Sequence, residues 1–151
     1  MKKDRPKKYR LLAYVENALG RDTEILLPIA FTLEKYLQCE VRFAFVWDIY
    51  LIRRWKPDVV LLPNIKGHHM YLEIGKYAYE NGITVLAHES EGNFKTDGSY
   101  NYWGYNTDQI FYQEWVTAWS RRTQAFIQKL KPSDATRVVV TGGTGFDRYV
   151  F

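Results

Sequence analysis

The segment Val59-Val60-Leu61-Leu62-Pro63 constrains this chain most. It is a short unbroken apolar run opened by Pro57-Asp58, and such a run reads as a strand buried on both faces. A strand of that kind needs strands beside it and helices above and below it, and the chain supplies both in alternation. Residues 10–16, RLLAYVE, read as a first strand ending near Asn17 and Gly20. Asp22 or Thr23 then stands at the cap of a helix over 23–37, with Glu24 in its first turn and Ile25, Leu26, Ile29, Leu33 and Leu37 at helical spacing. Pro28 falls early in that helix, where a missing N–H costs least. Residues 40–47, EVRFAFVW, suit a second strand, and Asp48 is placed to cap a short helix over 49–55.

The alternation continues past the central run. Gly67, His68 and His69 open a helix with Met70, Ile74, Tyr77 and Ala78 on one face, and Asn81-Gly82 stops it at a left-handed cap. ITVLAHE, 83–89, is a fourth strand, followed by a loop rich in Gly, Asn, Asp and Tyr over 91–107. DQIFYQ, 108–113, reads as a fifth strand, a helix covers about 115–130 until Pro132 and Ser133 break it, and RVVVTGG, 137–143, is a last strand running into a glycine turn. Strands separated by single helices imply βαβ crossovers. The expected fold is therefore α/β: a doubly wound, mostly parallel sheet of about six strands with helices on both faces, a single Rossmann-like domain over residues 10–151 behind a basic disordered leader, residues 1–9.

Composition removes several function classes. A chain of 151 residues fits one domain, and 46% hydrophobic with 25% charged residues is a globular balance. The net charge is +4, yet the first ten residues carry six basic side chains against Asp4, a charge of +5, so the rest of the chain sums to −1. A nucleic-acid protein carries its positive charge on the domain face, so no nucleic-acid partner is expected. The leader reads as a solvated tip, or at most as a peripheral contact with an anionic membrane surface. No apolar run is long enough to span a bilayer and the start has no small-residue cleavage site, so the expected location is cytoplasmic, at most at the inner membrane face. The one cysteine, Cys39, excludes an internal disulfide and a Cys-based zinc cluster.

Ligands of doubly wound sheets gather beyond the carboxyl ends of the strands. The segment AHESEGNF, 87–94, puts one imidazole, His88, and two carboxylates, Glu89 and Glu91, directly after a buried strand, followed by Gly92 and Asn93. A carboxylate so placed suits a general base toward a substrate hydroxyl; the plainer alternative is a helix cap or a lysine partner. The segment NIKGHH, 64–69, sets Asn64, Lys66, His68 and His69 beside a helix start, where backbone N–H groups favour anions. His69 and Glu73 lie one turn apart, but this helix offers no third metal ligand, so solvent-facing histidines are the plainer reading. Asn17 and Arg21 flank the first strand end. GGTGFD, 142–147, lacks the Lys-Ser/Thr pair of a phosphate loop, and the ENALGRD turn carries one glycine, which disfavours a dinucleotide cofactor. YNYWGY, 100–105, with Trp103, offers rings to a sugar or partner, or folds back as an apolar clasp.

Four pieces in order resemble the N-terminal domain of GT-B bacterial surface-carbohydrate biosynthesis glycosyltransferases. They are the first strand with Arg21-Asp22-Thr23-Glu24 opening a helix, KPDVVLLPN at 56–64, AHESEGNF at 87–94, and RVVVTGGTGFDRY at 137–149. Two details depart from that family: Gly143-Thr144-Gly145 replaces an Asn-Pro-Arg part, and either Glu89 or Glu91 matches the key acid. The resemblance implies an acceptor-side domain, ending where a second, donor-binding domain starts in the family and inactive without it. The acceptor, a saccharide or lipid-linked saccharide, would lie across the strand ends. Glu91, or else Glu89, would be the base. His88, Lys66, His68 and His69 would position the acceptor or the leaving phosphate. No cofactor is expected in this chain; a sugar nucleotide would arrive on a further domain or partner chain. A non-enzymatic carbohydrate- or protein-binding module is the alternative, and a sugar-nucleotide 2-epimerase relative a third reading.

Overall fold

Six strands, β1 (Arg10–Val15), β2 (Glu40–Phe45), β3 (Val59–Leu62), β4 (Thr84–His88), β5 (Trp115–Ala118) and β6 (Val138–Val140), form one sheet in the order β2-β1-β3-β4-β5-β6. Every neighbouring pair is parallel. These strands come from a computed structural model that describes residues 8–65, 68–90 and 111–143. The helices are α1 (Arg21–Leu37), α2 (Tyr50–Trp55), α3 (His69–Glu80) and α4 (Arg121–Leu130), with a 3₁₀ turn over Pro132–Arg137. The protein is therefore an α/β Rossmann-like sheet with helices on both faces, as the alternation of elements predicts.

The layering follows from crossover handedness. The step from β1 to β2 goes one way along the sheet and each later step crosses to the other side. Right-handed crossovers then force α1 onto one face and α2, α3 and α4 onto the opposite one. The core divides accordingly. Leu11, Ala13 and Val15 of β1 pack with Ile25 and Leu26 of α1. Leu12, Val60, Leu62 and Val85 pack with Ile52, Ile74, Ala78 and Ile127 from the other three helices. Alternate side chains of each strand thus enter different cores, which is why β1 and β3 read as continuous apolar runs.

Several element ends differ from the sequence reading. α1 is capped by neither Asp22 nor Thr23: Gly20 is its N-cap, the Thr23 hydroxyl donates to the Asn17 carbonyl at 2.7 Å, and the Asp22 carboxylate is used elsewhere. The helix starts two residues earlier than expected, so Pro28 is its eighth residue and withdraws an interior donor from the Glu24 carbonyl. Asp48 does not cap α2 with its side chain; Ile49 is the N-cap, and the Asp48 carbonyl accepts from Leu51 N–H at 3.2 Å.

The fifth strand is Trp115–Ala118, inside the stretch read as helix. Trp115, Ala118 and Trp119 imitate helical spacing. However, Ser120 Oγ accepts the Thr123 N–H at 3.2 Å and so starts α4 only at Arg121. Of the segment 108–113, Phe111–Gln113 is not strand. Arg137 Nη1 donates to the Phe111 and Gln113 carbonyls at 3.1 and 3.4 Å, in place of a ladder.

The left-handed stop after α3 stands as expected. Gly82 has φ +66°, its N–H donates to the Tyr79 carbonyl at 3.2 Å, and Ile83 N–H donates to the Ala78 carbonyl at 2.9 Å, the double closure of a Schellman motif. Among the described residues no helix is long and apolar enough to cross a membrane. The leader to residue 7, the aromatic stretch 100–105 and the last turn from residue 144 lie outside the described residues.

Candidate functional site

The strand order reverses between β1 and β3, and in sheets of this kind the crevice opens beyond the strand ends at that point. Two polar bonds cross it, one from the residue after β1 and one from the first turn of α1, and both reach the start of α3. His68 Nε2 lies 3.1 Å from Glu16 Oε1, and Tyr71 Oη donates to Asp22 Oδ2 at 3.0 Å. Glu16 follows β1 directly and His68 is the N-cap residue of α3, so each group is held by a rigid element.

The two bonds differ in exposure. The Tyr71–Asp22 pair is buried, at 2% and 9% exposure, and forms the floor. Burial, with the Asp22 carboxylate beside it, pushes the Tyr71 phenol well above its ordinary value, so it stays protonated and acts as a donor. The Glu16–His68 pair is at the lip, with side chains 48% and 34% exposed. His68 Nε2 faces Glu16, while Nδ1 is buried with no hydrogen-bond partner among the described residues. The group at the lip that can meet a ligand is then the Glu16 carboxylate, oriented by the imidazole behind it. The His68 ring packs 4.9 Å from Tyr71, which ties lip to floor.

The turn after β1 is shaped by close approach. A Cβ on Gly20 would stand 2.2 Å from Asn17 Oδ1, so glycine lets the Asn17 side chain fold against the helix start. Asn17 and Arg21 are both exposed on the turn that follows Glu16, and Arg21 Nε lies 3.8 Å from Asp22 Oδ1. A small hollow of about 180 Å³ opens next to this turn, lined by Val15, Ala18, Thr23, Phe43 and Phe45. A groove of about 230 Å³ between α2 and α3, lined by Ile49, Arg53, Glu73 and Tyr77 among others, lies away from the strand ends.

Of the residues singled out in the sequence, Asn17, Arg21, Asn64, His68 and His69 come from the β1 and β3 ends that flank the switch point. Asn64 is buried and His69 is exposed. His88 and Glu89 end β4 next door, tied to β3 by the Ser90 N–H donating to the Pro63 carbonyl at 2.8 Å. Both are buried, Glu89 at 1% exposure. The Glu89 carbonyl accepts from Trp119 Nε1 at 2.6 Å, and His88 Nδ1 is hydrogen-bonded to the Thr117 hydroxyl. Burial lowers the His88 imidazole to about 4, so it is neutral at pH 7. Lys66, Glu91, Gly92, Asn93 and Trp103 lie outside the described residues. Among the described residues no three His, Cys, Asp or Glu side chains converge as a metal set.

Tyr71 and the roles of Glu16 and Asp22 escape a reading of the sequence. Asp22 and Tyr71 are 49 positions apart, and only the sheet order brings them together. The available signal is that His68 and Tyr71 share one helical face at i, i+3.

No protein-family model matches the chain, and no curated protein matches it. Among solved structures, the UDP-GlcNAc 2-epimerase from Neisseria meningitidis, solved bound to UDP-GlcNAc, superposes with a TM-score of 0.61 at 12% sequence identity. The match covers 90% of this chain and 46% of that one, so the chain spans about half the length of that protein. At that identity the likeness is one of fold: a Rossmann-like domain of the GT-B type.

Proposed function

We propose that the chain is the acceptor-side domain of a glycosyltransferase of surface polysaccharide biosynthesis, holding a saccharide or lipid-linked saccharide over the strand ends. A sugar nucleotide is carried by a further domain or a partner chain. The observation that carries this reading is the Glu16–His68 pair at the switch-point lip. An exposed carboxylate held by an imidazole is a fixed acceptor for a sugar hydroxyl, and Asn17 and Arg21 beside it supply an amide and a cation for further hydroxyls or a phosphate. The ordered motifs from Arg21 to Tyr149 support the family reading, and the structural likeness to a protein twice as long supports a domain that works with a second half. In this reading the acid after β4, Glu91 or else Glu89, takes the hydroxyl proton during transfer, with neutral His88 positioning. Half a cleft turns over poorly, because positioning both substrates supplies much of the rate.

Calorimetry with acceptor oligosaccharides tests the binding half of the proposal. Glu16→Gln should weaken binding by roughly tenfold, the scale of one charge-assisted hydrogen bond. His68→Gln should weaken it less, because the carboxylate remains. Unchanged affinity in both variants would remove the site. For transfer, Glu91→Gln and Glu89→Gln in a polypeptide that also carries a donor domain should identify the base, and full activity in both would remove that assignment. The second reading, half of a sugar-nucleotide 2-epimerase relative, is favoured by the structural likeness itself. It predicts that UDP-GlcNAc, and not an acceptor oligosaccharide, is the ligand that binds.

A further inference from the structure

We propose that the free edge of β2 pairs with the same edge of a second copy of this chain, antiparallel about a twofold axis at Val41. β2 is the outermost strand, and among the described residues no strand pairs with its outer side. Its inner side is used by the even-numbered residues: Glu40 N–H donates to the Tyr9 carbonyl at 2.7 Å and Val46 N–H to the Val15 carbonyl at 2.9 Å. By the alternation of a parallel ladder, the N–H and C=O groups of Val41 and Phe43 point outward. Sheet edges are normally blunted by charge, proline or a bulge. This one carries charge on one face only, at Glu40 and Arg42, and shows Phe43 and Phe45, 36% and 40% exposed, on the α1 side. Thr23 of α1 lines the same hollow as those two rings, and Leu27 and Phe31, 53% and 62% exposed, follow it along that helix flank at intervals of four. The patch thus runs from a strand edge onto a helix, the shape that a twofold partner covers with its own strand and helix.

Charge selects both the occupant and the register. Glu40 and Arg42 lie on the other face of β2 and are already bonded at 3.1 Å, with the Arg42 guanidinium 4.8 Å from the centre of the Trp55 ring. An axis at Val41 sets Glu40 opposite Arg42 of the second copy and Arg42 opposite its Glu40, so every charge is flanked by opposites. It also sets Phe43 opposite Cys39 and Val41 opposite itself, an apolar row on the α1 face. An axis at Arg42 would oppose two guanidinium groups, and an axis at Phe43 would oppose Glu40 to Val46. Like charges directly across a strand pair are unfavourable and a charge opposite an apolar residue gains no partner, which leaves Val41.

Sedimentation equilibrium of the whole chain tests this, with circular dichroism reading the fold of each variant. Wild type should be a dimer. Arg42→Glu and Glu40→Arg should each shift it to monomer, and the double variant carrying both reversals should restore the dimer. Phe43→Lys, at an exposed position outside the charge pair, should also give monomer. A wild type that stays monomeric at every concentration, single reversals that leave the dimer intact, or a double reversal that fails to restore it would overturn the proposal.

Discussion

Tyr71 and Asp22 show how one bond both holds the floor of the crevice and exposes a cost when broken. Tyr71→Phe leaves a 9%-exposed carboxylate without its phenol donor, which should lower stability by about 1–3 kcal/mol in urea denaturation. Gln113 presents the reverse case. It is fully buried and neither amide atom has a hydrogen-bond partner among the described residues, so replacing it with a side chain of similar volume removes an unsatisfied amide. Gln113→Met should raise stability by about 1–2 kcal/mol; a loss would mean that the amide is satisfied in solution. His88 gives a pH dependence. Its folded value, about 4, lies below the ordinary 6.5, so the unfolded chain takes up a proton at a pH where the folded chain does not. Its contribution is complete above 6.5 and is lost as pH falls toward 4, a total of about 3 kcal/mol. Comparing the stability of wild type and His88→Gln across that window should show a flatter curve in the variant.

At the level of elements, the α3 stop makes a clean test because Gly82 has open space around its missing Cβ. Gly82→Ala therefore meets only the backbone penalty at φ +66°, about 1 kcal/mol, read as a fall in the urea midpoint. That stop was legible because Asn-Gly has one strong local meaning. β3 was legible because an unbroken Val/Leu run admits few other readings. β5 was not, since Trp115, Ala118 and Trp119 satisfy a helical period while Trp-Val-Thr satisfies a strand, and the tie is broken by pairing with Leu86 and by Ser120 capping the next helix. The start of α1 was misplaced for a related reason. Asp22 and Thr23 have the chemistry of caps, but one is taken by Tyr71 and the other by the Asn17 carbonyl, contacts that exist only after the sheet has formed.

For the whole molecule, the class of sheet follows from the alternation of elements, whereas the position of the switch point does not. Reversing the direction of the crossover between β2 and β3 would leave every local propensity untouched and move the crevice. That is why the sequence reading centred on the end of β4, at His88, Glu89 and Glu91, while the described geometry builds its exposed polar pair one and two strands away, at His68 and Glu16. The sequence also points to Asn17, Arg21 and His68, because strand ends are where any such sheet gathers ligands. The function proposed above makes this lip a saccharide site. Amide chemical-shift mapping of the isotope-labelled chain during titration with an acceptor oligosaccharide tests it most directly. Saturable shifts should concentrate at Glu16–Arg21 and His68–Tyr71, and Glu16→Gln should need roughly tenfold more ligand to reach the same saturation. Shifts confined to other parts of the sheet, or none at all at those two turns, would contradict it.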